Sequence, residues 1–321
     1  MTKRFRFGPV AVIACVTALA LSPTANPACA SSRSSAVGRW DLRVLDPAGA
    51  YPSWLEINER NGRLEGRFVG RVGGAHDLTV VRVEGGRIWF ELQPQFEQRG
   101  TSLRFDGDVH NGWMKGTTTT DAGKTVGWTA QRAPALDRTR PARWGTPIEL
   151  TDSNDLSAWR PRHAAGEMCW ESRDGTLQNL GPCPDLITKR EFQDFKLHLE
   201  FRMGPGGDSG VHLRGRYEIQ LRDPITYNLM ETASTTGSLY SFIAAPANAG
   251  RPADEWQTLD ATLIGRQVTV ILNGQTVIEN QEIPGITGDA LDSEEAKPGP
   301  VVLQGYLGPV TFRNIVITPA L

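Results

Sequence analysis

The residues best suited to chemistry lie between Gly207 and Asp223. Read at a period of two, Val211, Leu213, Tyr217, Ile219 and Leu221 fall on one face of an extended segment. His212, Arg214, Arg216, Glu218, Gln220 and Arg222 fall on the other. Strand side chains alternate between faces, so the pattern predicts a strand or hairpin with one apolar and one charged face. A merely solvated face favours Lys, Thr and Ser. Arg, Glu, Gln and His are instead the side chains that orient hydroxyl groups or move protons. The competing reading is a polar face knitted by cross-strand ion pairs. Asp208 heads the segment as an acid, a metal ligand or a turn cap, since Asp-Ser-Gly is also turn chemistry. His212 shares the polar parity and is either hydrogen-bonded in place or a proton carrier.

The elements that must position these groups read as β structure throughout. The chain has 321 residues, with 34 Gly and 21 Pro spaced as turn punctuation. From 36 to 133 short alternating strands flank Asn61-Gly62, Gly85-Gly86 and Asn111-Gly112, all strong hairpin signals. Three successive hairpins make an antiparallel meander, either a calycin-like barrel or a sandwich. Residues 134–146 are rich in Pro, Arg and Ala without a period and read as a linker. From 147 to 321 strand patterns recur at Lys196–Met203, Gly210–Leu221, Gln257–Ile264, Gln267–Leu272 and Val310–Ile317, with no sustained helical period. The expected class is all-β: a concanavalin-like two-sheet jelly roll preceded by the smaller meander.

Charge is nearly balanced, 34 basic against 36 acidic residues, which removes the electrostatic case for nucleic acid or an anionic membrane as partner. The nine Trp are either core residues or sugar-stacking surfaces. Lys3, Arg4 and Arg6 precede an apolar run from Pro9 to Leu21, too short for a span, and Ala28-Cys29-Ala30 offers a cleavage site. Residues 1–30 are therefore expected to be a signal peptide cut near Ala30, with a periplasmic or secreted product and no transmembrane segment later in the chain. Asn26-Pro27-Ala28 disfavours Cys29 as a lipid anchor. Cys169 and Cys183 then remain, as a disulfide or as two buried thiols; no ligand spacing supports zinc beside either.

The second part resembles the 3-keto-disaccharide hydrolase domain family. The resemblance rests on an ordered series: Asp155 to Trp159, Trp170 to Leu177, Glu191 to Arg202, Gly207 to Val211, Tyr217 to Asp223, Thr236 to Tyr240, Ala245 to Asn248, Glu255-Trp256, Leu272 to Gly274, Leu303 to Gly305 and Phe312 to Ile315. Two positions depart from the family pattern: Asp208 stands where Asn is frequent, and Tyr306 where His is frequent. The resemblance implies cleavage of a glycoside oxidised at C3. The ketone acidifies the C2 proton, a base removes it, the anomeric substituent leaves, and water adds back. Such a route needs a base, a donor to the C3 oxygen and an acid at the leaving oxygen.

On that expectation Glu218 is the base, the alternative being an arginine-paired carboxylate. Arg214 is the enolate stabiliser or else a structural salt bridge, and Asp208 completes the catalytic set. Arg216, Gln220 and Asp223 are expected to bind hydroxyls. Tyr240, Gln304 and Tyr306 come from segments that the resemblance brings to the same cleft, and Glu171 would reach it from a neighbouring strand. The substrate class is carbohydrate. A divalent metal stays open because no spacing dictates a ligand set, and no organic cofactor is expected. Two rivals follow from the same residues. Glu218, Gln220 and Asp223 share the spacing of the laminarinase-like acid triad, though the middle acid is an amide and the last is shorter. A non-catalytic carbohydrate-binding protein also fits two β units with abundant Trp.

Overall fold

The computed structural model describes residues 35–47, 49–94, 100–138, 141–151, 155–163, 168–226, 232–246, 249–305 and 307–321. The expected signal peptide, with Cys29 and Ala30, lies outside the described residues, as do Tyr306 and Asn248. The described chain is all-β apart from one short 3-10 turn at Thr232–Ser234 and a helical pair at Ser35-Ala36. No described helix is long and apolar enough to cross a membrane.

Strands from Gly38–Leu45 to Thr125–Arg132 form one nine-stranded antiparallel sheet. Its two margins, Ala75–Asp77 and Val80–Glu84, are neighbours in the chain. Between them Leu78 N–H donates to Gly66 O (2.8 Å) and Thr79 N–H donates to Glu91 O (2.8 Å). One connection is thus bonded to both margins, so the sheet curls into a barrel, which removes most of its free edge. The alternation that predicts the strands also fills the interior: Leu103, Phe105 and Val109 point inward from one strand. Phe90 and Phe105 stack there at 4.8 Å, with Trp128 edge-on at 5.9 and 6.0 Å. Asn61 and Gly62 turn at φ 50° and 72°, the left-handed pair that a two-residue hairpin requires. Ala75–Asp77 was not expected, because three residues are too few to show a period.

Two further antiparallel sheets follow. The larger is eight-stranded and is centred on Phe195–Met203, Val310–Pro319 and Gln257–Ile264. The smaller runs Trp159–Pro161, Leu186–Thr188, Val302–Leu303, Asp208–Leu213, Tyr217–Arg222. They face each other across one core that includes Leu199, Phe201, Val211, Ile219, Leu259 and Phe312. The expected segment Gly210–Leu221 is a hairpin, turning at Arg214 (φ 53°) and Gly215 (φ 67°). Cys169 and Cys183 are disulfide-bonded, with Cα atoms 5.9 Å apart.

The barrel and the sandwich share buried surface. Trp54 and Val69 are fully buried in the sandwich core, although their neighbours Leu55 and Phe68 point into the barrel. Alternation makes this possible: each strand feeds one core with even positions and another with odd ones.

Candidate functional site

The smaller sheet has two faces of different chemistry. Val211, Leu213, Tyr217, Ile219 and Leu221 enter the sandwich core. The register pairs Asp208 with Arg222, Gly210 with Gln220, and His212 with Glu218, so these six share the opposite face. His212, Glu218 and Gln220 are nonetheless buried there, at 1%, 5% and 1% exposure. An open polar face would be wet, so the burial shows that other segments close over it.

Glu218 is the centre of this face. Its carboxylate lies over Gly210, where an added Cβ would stand 2.6 Å from Oε1. His212 Nε2 is 4.0 Å from Glu218 Oε2 and has no hydrogen-bond partner among the described residues. Burial raises the Glu218 carboxyl well above the ordinary range, reinforced by the negative charges of Asp208, Asp289 and Asp185 and opposed by Arg222. Burial also pushes His212 down to about 4, with Asp289 and Arg162 acting in opposite directions, so the imidazole is neutral at physiological pH. Once ionised, a buried carboxyl with a raised pKa beside a neutral imidazole is a stronger base than an ordinary carboxylate.

The flanking groups are fixed. Gln220 Nε2 donates to Asp208 Oδ1 (2.7 Å) and to Ser209 O (2.9 Å), and Arg222 Nε donates to Asp208 Oδ2 (2.9 Å). Burial raises the Asp208 carboxyl despite Arg222 and the hydrogen bonds, which pull the other way. Gln304 is buried on the adjoining strand end, its N–H bonded to Gly210 O at 2.9 Å and its carbonyl accepting Ser209 Oγ at 2.8 Å. Tyr240 N–H donates to Glu218 O (2.9 Å), which lays its segment along the strand. Thus Glu218, Asp208, Gln220, Gln304 and the Tyr240 segment come together.

Four expected site residues do not join them. Arg214 sits in the turn, where positive φ breaks the alternation, and it is fully buried toward the core side. Its Nη2 donates to Gly265 O (2.6 Å) and Tyr217 Oη (3.2 Å), so it cannot face the same ligand as Glu218. Arg216 pairs with Asp292 (2.7 Å) and donates to Lys297 O (2.9 Å), tying down the 292–297 loop. Asp223 caps a turn, accepting Gly206 N–H (2.8 Å), Ile225 N–H (3.1 Å) and Thr226 Oγ1 (2.6 Å). Burial works against these bonds, yet they hold its carboxyl below the ordinary range. Glu171 is exposed on the margin of the larger sheet, because Trp170 takes the inward position and period two turns Glu171 outward.

Three charged residues at the site carried no sequence signal. Arg162 Nη1 bridges Asp185 Oδ2 (3.0 Å) and Asp289 Oδ2 (2.7 Å), and its Nη2 donates to Asp289 O (3.0 Å). All three lie outside the strands, with Arg162 and Asp289 separated by 127 positions, so no spacing could have joined them. Thr287 Oγ1 accepts the Glu218 N–H at 3.0 Å. Among the described residues no group of three His, Cys, Asp or Glu is arranged to hold a metal ion.

The chain is similar over part of its length to several solved structures. A candidate glycosyl hydrolase from Parabacteroides distasonis is 30% identical over 56% of this chain and 92% of its own, with a TM-score of 0.45. A second such protein from the same organism is 23% identical over 54% and 98%, with a TM-score of 0.44. A β-glucanase from Bacillus licheniformis is 10% identical over 57% and 99%, with a TM-score of 0.34. No curated protein matches the chain. The model of the 3-keto-alpha-glucoside-1,2-lyase-like domain matches residues 146–318, which span the sandwich, and the chain belongs to that family.

Proposed function

We propose that this protein cleaves 3-keto-glycosides, with Glu218 as the base that removes the C2 proton. The observation that carries the reading is the state of that carboxylate. Every arginine near it is engaged elsewhere: Arg222 with Asp208, Arg216 with Asp292, Arg162 with Asp185 and Asp289, Arg214 with Gly265 O. Across from the Glu218 carboxyl, His212 Nε2 stands 4.0 Å from Oε2. A structural carboxylate would be paired with one of those arginines; a buried, raised one is a stronger base once it has lost its own proton.

The steps balance as follows. The C2–H bond breaks, its proton goes to Glu218, and the electron pair forms the enolate across C2 and C3. The enolate collapses to a C1–C2 double bond as the C1–O bond breaks, and the leaving oxygen takes a proton. Water then adds at C1 and returns a proton to C2, giving the free 3-keto sugar. Asp208 is assigned as the acid on this face, and His212 Nε2, with no hydrogen-bond partner among the described residues, faces Glu218 beside it. Arg214 has no part in the scheme. The laminarinase-like alternative loses its third acid, because the turn at 223–226 holds Asp223, and its second, because Gln220 spends its amide on Asp208 and Ser209.

The test is incubation with a 3-keto-glucoside beside the same glycoside unoxidised. Release of the aglycone from the keto compound alone is expected. Release from both, or binding of the keto compound without turnover, sinks the proposal.

A further inference from the structure

Two segments bond to the backbone of Glu218 along the free edge of its strand, and both are seated on the N-terminal barrel. In the first, Thr287 accepts the Glu218 N–H while Asp289 holds Arg162. In the same loop Asp289 N–H donates to Arg71 O of the barrel at 3.0 Å. In the second, Tyr240 N–H bonds Glu218 O; the next residue, Ser241, accepts Ala75 N–H of the barrel at 2.7 Å. Phe242 then stands edge-on to Trp54 with ring centroids 5.4 Å apart. The barrel corner Arg71–Ala75 therefore touches both segments that flank Glu218.

The loop sequence is fitted to that corner. A Cβ added at Gly288 would overlap Gly73 O and stand 2.7 Å from Gly73 N. One added at Gly285 would overlap the Trp54 indole nitrogen. Neither glycine has the positive φ that would require glycine for its own backbone. What leaves no room for a side chain at either position is the barrel. Trp54 and Val69, buried in the sandwich core, fix the corner from beneath.

We propose that the barrel is a working part of the site around Glu218: through its Arg71–Ala75 corner it holds the 283–291 and 238–243 segments closed, and Gly288 is a positioning residue. This rests on the reading that Glu218 is the reactive carboxylate. The enclosed environment of Glu218 and His212 then exists only while the corner is docked.

Gly288→Val in the full chain tests this without any substrate. The chain has five histidines, so His212 is assignable by the NMR signal missing from His212→Gln. In the parent protein His212 stays neutral down to about pH 4. In Gly288→Val the wedge should lift the loop, let water in, and move His212 toward the ordinary value of about 6.5. Amide exchange should rise about tenfold or more in 283–291 and 238–243 while Phe195–Met203 keeps its protection. Unchanged His212 titration and unchanged exchange in a folded Gly288→Val would overturn the proposal. If the sandwich strands also lose protection, Ser241→Ala decides: it removes only the acceptor of Ala75 N–H, and unaltered exchange at 238–243 would likewise overturn it. Failure of the parent protein to cleave a 3-keto-glucoside would sink the catalytic reading and leave these readouts intact.

Discussion

Glu218→Gln separates the proposed chemistry from a structural role, because the two predict opposite changes in stability. The glutamine is isosteric and fits the space over Gly210. If Glu218 is the base, turnover of a 3-keto-glucoside should fall by about 10²–10⁴, the usual contribution of a positioned base, or roughly 2.7–5.4 kcal/mol of activation free energy. Stability should move the other way. The folded-state pKa of Glu218 is raised by burial and by neighbouring carboxylates. The folded protein therefore holds a proton that the unfolded chain releases near 4.5, and its stability falls as pH rises above that value. Gln does not titrate, so the variant should melt higher than the parent at neutral pH, with the gap closing toward pH 4. A gain of 1 kcal/mol corresponds to about 2–4 °C in Tm for a unit of this size. The assay is aglycone release from pH 5 to 9 beside melting curves at the same pH values. A variant that keeps its turnover, or loses turnover and also melts lower at pH 7, refutes the reasoning.

Three further outcomes are expected. Arg214→Met should change kcat/KM by less than about threefold per folded molecule, because its guanidinium bonds Gly265 O and Tyr217 away from Glu218; a loss above 100-fold would restore it to the reaction. Asp41, from the barrel, meets the fully buried Glu295, which Arg266 (2.5 Å) and Tyr217 (2.7 Å) also hold. Burial, then the Glu295 charge, pushes Asp41 up to about 9 from 3.8, so the folded state keeps an extra proton between those values and stability falls as pH rises through them. Asp41→Asn should flatten the dependence of Tm on pH between 5 and 9, and an unaltered slope would contradict the contact. Cys169→Ser opens a link between residues 14 apart and should remove about 3 kcal/mol of stability. Reductant should lower the Tm of the parent to that of the variant and leave the variant unmoved.

Local geometry made much of this protein readable from its amino acids. Asn61-Gly62 and Gly85-Gly86 take the left-handed angles that their residue types favour. Period two placed Val211, Ile219 and Leu221 in a core and Glu218 and Gln220 on the opposite face. Both signals depend on neighbours within a few positions, and the sequence states them directly. The same rule failed where the backbone left the strand: Arg214 shares the parity of Glu218, yet its φ of 53° swings it to the other side. The strands Trp159–Pro161, Leu186–Thr188 and Val302–Leu303 are two or three residues long, too short to carry a period.

What closes over a face is decided by residues far apart in the chain. Arg162 meets Asp289 across 127 positions, and Ala75 meets Ser241 across 166. Trp54 alternates correctly within its barrel strand, yet it belongs to the core of the other half. The amino-acid order by itself therefore determined the longer strands, the turns and the row of polar side chains. Only the tertiary structure decided which members of that row are buried together, because burial is set by contacts between distant segments and desolvation is what moves a carboxyl out of its ordinary range.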